Sequence, residues 1–337
     1  MISSVSQVSA APAAEVSALL GKVSTDLQEL LRCVVCQSRL LRCSDELRCA
    51  NPACGTCFPI VDDVPVLIND KESLFRCAEF LRRINTTVDY ARPWFREWCD
   101  QMLPSLSRNL KSRENYEELG RLLRQRASAP MVLVVGGRIP GQGMQALESQ
   151  PGIRLVETDV AFGPRTRLIC DAADLPFANS TFDGVIIQAV LQYVPDPARC
   201  VREIERVLKP DGLLYAETAF MQQVVHGRYD FTRFTYLGMR RLFRRFRELR
   251  GGPVGGPGMA LAWAFHYFLL SFGSSRRVRA GLHAFTRLTV FWLKYFDPLL
   301  ADRPGTYDAA SGYFFLGERT MRPLPDRRLI ELYRGAQ

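Results

Sequence analysis

The sequence lacks any clean apolar run of about 18 residues or more, the length expected of a membrane-spanning helix. The nearest approach, Met259 to Phe272, is too short to span a bilayer. The N-terminal stretch also lacks a positively charged start followed by a sustained apolar core, so we expect residues 1–28 to be a flexible tail rather than a signal peptide. These absences predict a cytoplasmic protein, with peripheral contact to the inner membrane face left open.

The composition restricts the class of partner only weakly. With 47% apolar and 23% charged residues the 337-residue chain is globular in character, and its length suggests about two domains. A formal net charge of +9 permits nucleic acid, anionic lipid or acidic substrates without establishing any of them. The sequence contains no recognisable RNA-binding module.

Disulfides do not explain the ten cysteines of a chain expected in a reducing compartment. Six of them fall in one short stretch, at positions 33, 36, 43, 49, 54 and 57. A thiolate cluster of this density indicates zinc. Cys33 and Cys36 form one C-x2-C pair, and the second pair is either Cys54 with Cys57 or Cys49 with Cys54.

The residues around these cysteines, from "LRCVVCQSRL" to "LRCANPACGTCFPIVDDVPVLI", resemble the short zinc ribbon of the tRNA-methyltransferase activator type. The resemblance implies a ribbon domain at 29–70 with one structural Zn²⁺, because four thiolates leave no open position for water. Cys57 then takes a variable position and Cys43 is a bystander. So small a unit has little core of its own and would need the metal to fold. The implied ligands are Cys33, Cys36, Cys49 and Cys54.

Residues 71–130 read as a helical connector, since "AEFLRRI" and "ENYEELGRLLRQRA" carry apolar residues at helical spacing. Trp94 and Trp98, four residues apart, form a packing face there or a lid. From 131 onward, buried-type strands alternate with helices, and Asp196 with Pro197 can begin one of those helices. The alternation predicts an α/β fold over 131–337 with a doubly wound, mostly parallel Rossmann-like sheet, which binds ligands at the carboxyl ends of its strands.

A glycine-rich turn follows the first of these strands, in "VLVVGGRIPGQG". No Gly-Lys-Ser/Thr follows it, which excludes a Walker phosphate loop, and the spacing departs from the G-x-G-x-x-G of dinucleotide sites. Its glycines still let a ligand approach the backbone closely. They are Gly136, Gly137, Gly141 and Gly143.

Carboxylates end the next two predicted strands. Asp159 stands where a carboxylate can accept from both ribose hydroxyls, and Glu157, two residues earlier, is its rival. Asp171 ends the third strand, where it can accept from an exocyclic amine.

This series, with "CDAADLPFANSTFDGVI" and "RVLKPDGLLYAE", resembles the class I S-adenosylmethionine-dependent methyltransferases, in the type 11-like group with a D-A-x-x-L-P-F-x-x-x-x-F-D signature. The resemblance implies S-adenosylmethionine as the cofactor. It places the glycine loop at the methionine end and Asp159 at the ribose. Asp171 and Ala172 are then at the adenine, and Gln188 is near the transferring methyl.

The chain departs from that group at the start of the pocket. The group commonly has an acid in the first strand and a G-x-G-x-G loop. Here Val134 stands at the acid's position and "RIP" interrupts the glycines. Tyr193 occupies a position that is often histidine. The amino-acid end of the cofactor pocket is therefore expected to differ in shape.

The segment "HGRYDFTRFT" follows the fifth strand, where this fold places residues that face the acceptor. The candidates for catalysis are His226, Tyr229 and Asp230, since each can take a proton that an acceptor loses. Similar H-x-Y-D-x-x-R-F-T segments occur in bacterial methyltransferases encoded with cell-surface glycan genes. The alternative is a structural ion pair between Asp230 and Arg233, with His226 as a surface histidine.

Two further segments complete the domain. "MRRLFRRFRELR" reads as an amphipathic helix with a basic face, and "GGPVGGPG" reads as a flexible joint. A helical insertion at about 251–310 then carries two apolar, aromatic stretches before a last strand in "SGYFFLGER". Extra packing, a homodimer face or an interfacial surface for a lipid-linked acceptor would each explain the insertion.

The sequence thus predicts methyl transfer from S-adenosylmethionine to a small-molecule, glycan or lipid-linked acceptor, with the protein supplying alignment and proton removal. The first alternative is an rRNA or tRNA methyltransferase, because zinc ribbons also precede the catalytic domain in some bacterial rRNA guanine methyltransferases. The second is a non-catalytic scaffold that binds a protein partner, because the glycine loop is interrupted.

Overall fold

The computed structural model of the protein describes residues 25–84 and 102–336. Most of the expected tail, and the pair Trp94 and Trp98, lie outside the described residues. The strands are β1 (Leu40–Cys43), β2 (Glu46–Cys49), β3 (Cys57–Val61), β4 (Val64–Leu67), β5 (Met131–Val135), β6 (Arg154–Asp159), β7 (Leu168–Cys170), β8 (Phe182–Gln188), β9 (Leu208–Ala219), β10 (Phe246–Gly255) and β11 (Gly312–Arg319). The helices are α1 (Thr25–Leu30), α2 (Cys77–Leu81), α3 (Ser112–Arg126), α4 (Gln145–Glu148), α5 (Pro197–Val207), α6 (Tyr236–Leu242), α7 (Pro257–Leu270), α8 (Arg276–Val290), α9 (Asp297–Leu300), α10 (Pro304–Ala309) and α11 (Asp326–Ile330).

The strands form one sheet in the order β1-β2-β3-β4-β7-β6-β5-β8-β9-β11-β10. Strands β7, β6, β5, β8 and β9 are parallel, and β11 runs antiparallel between β9 and β10. The chain winds outward from β5 in one direction to β7, then returns to place β8 and β9 on the other side. The predicted doubly wound, Rossmann-like sheet is confirmed.

Alternation along the central strands supplies a core on each face of the sheet. Val132 and Val134 of β5 pack with Tyr116 and Leu119 of α3. Leu133 and Val135 point to the other face, into the core that contains the apolar stripe of α5. That helix begins as expected, with the Asp196 carboxylate accepting from the Arg199 N–H at 2.9 Å.

The cysteine-rich ribbon is built into this sheet. Its last strand, β4, pairs in parallel with β7, with Val66 opposite Ile169 and Leu67 opposite Cys170. The buried side chains of the ribbon, including Leu31 and Phe58, belong to the same core as Phe177 of the larger domain. Packing against the larger domain therefore stabilises the ribbon. The strand that the ribbon adds to the sheet covers the outer edge of β7.

The prediction of a helix over "MRRLFRRFRELR" is wrong for the second half of that segment. Helix α6 ends at Leu242, and β10 begins at Phe246. The expected flexible joint is also wrong, because Gly251 and Gly252 lie inside β10, opposite Phe315 and Phe314 of β11. Pairing with a buried aromatic strand thus overrides the helical spacing of the arginines, as tertiary context commonly overrides local propensity.

Helices α7 to α10 lie between β10 and β11, the last two strands of the chain. The α7–α8 pair contacts through a buried hydrogen bond between His266 Nδ1 and Thr286 Oγ1 at 2.5 Å. Among the described residues, no helix has both the length and the apolar character needed to cross a membrane.

Candidate functional site

A cavity of about 200 Å³ opens at the carboxyl ends of the parallel strands. Four neighbouring strands contribute to its wall: Gly136 follows β5, Asp159 ends β6, Asp171 follows β7 and Gln188 ends β8. β5 and β8 flank the point where the winding direction reverses, which is where open α/β sheets bind ligands. The position of the cavity thus follows from the topology.

Asp159 presents its carboxylate at this cavity. One oxygen, Oδ2, accepts from the Arg138 N–H at 3.0 Å, and burial raises the pKa of the carboxyl group. The "RIP" sequence that interrupts the glycines therefore holds Asp159 in place. The rival acid, Glu157, is buried and paired with Arg165, and it does not line the cavity.

Asp171 is held from two sides, and one of them belongs to the segment that follows the ribbon. Its Oδ1 accepts from the Ala173 N–H at 2.9 Å, and its Oδ2 accepts from the Ser73 hydroxyl at 2.6 Å. The next two residues, Leu74 and Phe75, line the cavity. The segment after β4 is thus a wall of the site, which sequence reasoning missed.

Two further contacts fix that segment. The Phe75 ring lies 6.0 Å from the Tyr229 ring, centroid to centroid. Arg199 bridges Glu72 at 2.9 Å and Asp174 at 2.5 Å, and so ties the segment to the loop after β7. The wall is thus anchored both at Tyr229 and at the loop after β7.

The four glycines of the loop differ in what surrounds them. Gly136 lines the cavity with φ of +78°, and a Cβ there would lie 2.4 Å from Val190 Cγ2. The other three, Gly137, Gly141 and Gly143, do not line the cavity. A Cβ on them would meet protein instead, namely Glu157, Gln188 and Ser112 respectively. Gly136 is thus the glycine of the four that reaches the cavity, the other three let the loop pack against its own domain, and cofactor binding by all four stays a prediction.

Gln188, in the cavity wall, is held by a polar network that extends into the interior. Its Oε1 accepts from the Tyr116 hydroxyl at 2.7 Å, and its Nε2 donates to the Gln142 carbonyl at 3.3 Å. Glu217, on the next strand, accepts from Asn109 Nδ2 at 3.0 Å, and burial raises the pKa of its carboxyl group. Sequence reasoning missed Glu217, although an acid within the apolar run of β9 was a visible signal.

The residues that the sequence predicts for catalysis divide into two groups. His226 and Tyr229 line the cavity, and the His226 ring lies 4.0 Å from that of Tyr193. Burial lowers the pKa of His226, which favours its neutral form. Asp230 does not line the cavity: its Oδ2 lies 3.0 Å from Arg233 Nη2 and accepts from the Val225 N–H at 2.8 Å. Asp230 therefore forms the ion pair named as the alternative, and its catalytic role stays a prediction.

The cysteine cluster contains the four residues that the resemblance implied. The sulfur atoms of Cys33, Cys36, Cys49 and Cys54 lie within 4.8 Å of one another. Cys36 Sγ is 3.4 Å from Cys49 Sγ, while Cys57 is exposed and outside the group. Hydrogen bonds from Ser38 lower the pKa of Cys36 to about 6. Four convergent thiols, one of them readily ionised, fit a tetrahedral metal site.

The arginines of the "MRRLFRRFRELR" segment contact carboxylates of the protein itself. Arg240 pairs with Glu248 at 2.7 Å, and Arg245 pairs with Glu205 at 3.3 Å. Arg244 lies 3.1 Å from Asp326. Their charge is partly neutralised inside the fold, which weakens the case for a basic nucleic-acid face.

Residues 141–216 match the family described as "Methyltransferase domain". The chain contains a methyltransferase domain. Its match begins at Gly141, inside the unusual loop, and ends in β9.

Known proteins match this domain over short segments. The "Arginine-hydroxylase NDUFAF5, mitochondrial" of Rattus norvegicus is 40% identical over 58 residues, which are 17% of this chain and 16% of that protein. The "2-methyl-6-phytyl-1,4-hydroquinone methyltransferase 1, chloroplastic" of Oryza sativa subsp. japonica is 37% identical over 78 residues, 23% of this chain and 22% of that protein. The matched segments thus span less than a quarter of each relative.

Among solved structures, a putative sarcosine dimethylglycine methyltransferase from Galdieria sulphuraria is 14% identical, with a TM-score of 0.40. That likeness covers 61% of this chain and 86% of the other.

Proposed function

We propose that this chain transfers a methyl group from S-adenosylmethionine to a small, lipophilic acceptor. The observation that carries the proposal is that Asp159 and Asp171 line one cavity at the carboxyl ends of adjacent strands. In that arrangement Asp159 accepts from the ribose hydroxyls and Asp171, with Ala172, accepts and packs the adenine. Gly136 gives the methionine end close access to the backbone, and Gln188 lies beneath the methyl group.

The cofactor supplies an electrophilic methyl on a sulfonium, so the protein has to align the acceptor and remove its proton. His226 and Tyr229 are proposed for the proton, since both line the cavity. The lowered pKa of His226 keeps its imidazole neutral and able to accept a proton in mildly acidic solution.

The acceptor class is inferred from the walls. Leu74, Ile139, Val190 and Val194 make much of the cavity apolar. The name of the rice relative specifies a phytyl hydroquinone, which is a lipophilic substrate of that protein. Glycan acceptors would need more polar walls, and an RNA acceptor would need free cationic surface.

We also propose that Cys33, Cys36, Cys49 and Cys54 hold one structural Zn²⁺. Their mutual distances and the absence of Cys57 from the group support this ligand set. The location that we propose is cytoplasmic, at the membrane face that holds such an acceptor.

Calorimetric titration with S-adenosylmethionine and S-adenosylhomocysteine tests the proposal. We expect micromolar binding, weakened at least tenfold by Asp159→Ala and by Asp171→Ala. Asp302→Ala, at an exposed carboxylate outside the cavity, is the matched control and should bind as the wild type does. No binding by folded, zinc-loaded protein would favour the scaffold alternative.

A further inference from the structure

The α7–α8 hairpin and the turns that follow it expose many large apolar side chains. Phe268 is 60% exposed, Phe272 67% and Leu299 75%. Large apolar residues on soluble monomers are usually scattered, and a concentration of them marks an interaction surface. The exposed set of this segment is Leu261, Phe265, Phe268, Phe272, Val278, Phe285, Leu288, Trp292, Tyr295, Phe296 and Leu299.

The exposed residues follow the helical repeat. On α7 they fall at 261, 265 and 268, which form a stripe along the helix, and Phe272 follows in the turn just after the helix ends at Leu270. Neighbouring rings on the surface contact each other, as Phe268 with Phe272 at 5.3 Å and Trp292 with Phe296 at 5.9 Å between centroids. Aromatic side chains of this kind favour the interfacial zone of a bilayer.

The exposed charge of the segment has one sign, because Asp297, the one acid within residues 257–300, is buried. The sequence holds no aspartate or glutamate between Glu248 and Asp297. Arg276, Arg277 and Arg279 are all exposed at the start of α8, next to the turn that carries Phe272. Arginines beside an apolar tip are complementary to an anionic lipid surface, since their stems lie along acyl chains while the guanidinium groups meet phosphate.

The hairpin also contacts the loop that reaches the cavity. The Tyr267 hydroxyl donates to the Val224 carbonyl at 3.2 Å. Val224 and Val225 are themselves exposed, and His226, the next residue, lines the cavity. A membrane or protein surface that binds the hairpin would therefore lie beside the part of the cavity that holds His226.

We propose that residues 257–300 form an interfacial anchor that seats the protein on an anionic phospholipid bilayer, from which a lipophilic acceptor enters the cavity past the 220–232 loop. The anchor lies in the membrane surface and does not cross it. The acceptor part rests on the proposed function, whereas the docking part stands on the hairpin alone.

Flotation with lipid vesicles tests the docking. The wild-type protein should float with phosphatidylglycerol-containing vesicles and bind pure phosphatidylcholine vesicles less. Phe268→Ser combined with Phe272→Ser should reduce binding at least tenfold. Arg276→Gln, Arg277→Gln and Arg279→Gln together should remove the preference for phosphatidylglycerol, at about fivefold per arginine. Met321→Ser with Ile330→Ser, at residues 85% and 71% exposed elsewhere, is the matched control.

Equal flotation of the phenylalanine variant and the wild type would overturn the proposal, as would no flotation of either. A dimer in light scattering that the phenylalanine variant dissociates, without vesicle binding, would assign the face to a second copy of the chain. The same variants are titrated with S-adenosylhomocysteine. Vesicle binding without any cofactor binding would refute the proposed function and leave the anchor intact, whereas the reverse would refute only the anchor.

Discussion

Ser73 shows how a single side chain joins two parts of this molecule. Its hydroxyl donates to a carboxylate that lies 98 positions later in the sequence. With one oxygen of Asp171 held by Ser73 and the other by a backbone N–H, the carboxylate has a fixed orientation toward the cavity. A carboxylate oxygen that is held in place accepts a hydrogen bond from an exocyclic amine better than a freely rotating carboxylate does.

Ser73→Ala should weaken the binding of S-adenosylhomocysteine about tenfold, because a hydrogen bond to a charged group contributes about 1.5 kcal/mol. The preference for the adenine nucleoside over its inosine analogue should fall as well. Calorimetry with both ligands measures the two effects. Ser149→Ala, at an exposed serine away from the cavity, should change neither, and an unaltered preference in Ser73→Ala would refute the positioning role.

The Asp–Ser contact also explains what sequence reasoning missed at the site. The position of Asp159 and Asp171 at the cavity could be predicted because they stand at the carboxyl ends of buried strands, which meet at one edge of a parallel sheet. Ser73, Leu74 and Phe75 could not, since nothing in a short loop indicates which distant strand it will meet. The ion pair between Asp230 and Arg233 could be named as an alternative from their spacing, but the sequence alone could not show that Asp230 lies outside the cavity.

At the scale of the elements, the packing of α7 against α8 depends on a buried histidine. His266 is 3% exposed, and burial lowers its pKa to about 4, with the charges of His283 and Arg287 acting in the same direction. Its neutral ring donates to the Thr286 oxygen, because the Thr286 hydroxyl itself donates to the Leu282 carbonyl at 2.9 Å.

The free energy of unfolding should therefore fall as the pH is lowered from about 6.5 to about 4, since the unfolded histidine takes up a proton that the folded one refuses. The group contributes at most about 3 kcal/mol to that loss, and nothing further below pH 4. Urea unfolding across this window measures it. His266→Gln should flatten the slope, and an equal slope in both proteins would contradict the assignment.

Two cysteines of the ribbon strands, one inside the predicted ligand set and one outside it, allow a test of the zinc ligands. Cys49→Ser should lose zinc, while Cys57→Ser, eight residues later on an exposed strand start, should retain about one metal per chain. Atomic absorption on purified protein gives the ratio. Loss of zinc in Cys57→Ser alone would return the second pair to Cys54 with Cys57.

The elements themselves were predictable where two signals agreed. Buried β-branched runs bounded by turns identified the parallel strands, and Asp196 with Pro197 identified the start of α5. The segment around β10 failed because its arginines have helical spacing while its glycines resemble a joint. Only the pairing with the aromatic face of β11 decides that conformation.

At the scale of the whole molecule, ribbon and methyltransferase domain share one sheet and one core. We therefore expect a single cooperative unfolding transition in calorimetry of the zinc-loaded protein. Chelation should lower the transition temperature and weaken the binding of S-adenosylhomocysteine together, because β4 leads directly into Ser73 and Phe75. Two separate transitions, or unchanged affinity in metal-free folded protein, would show that the two parts are independent.

The pairing of β4 with β7 has a consequence for how the ribbon stays attached to the larger domain. The register joins only two residues of each strand, Val66 with Ile169 and Leu67 with Cys170. By itself so brief a pairing would hold a separate ribbon poorly, since two free molecules must give up translational freedom to associate, and the ribbon side chains in the shared core supply the rest of the contact. On one chain the encounter is intramolecular, and the effective concentration of β4 at the β7 edge is on the order of millimolar. Covalent fusion thus makes the contact permanent, and every copy of the protein is made with its ribbon in a fixed ratio of one to one.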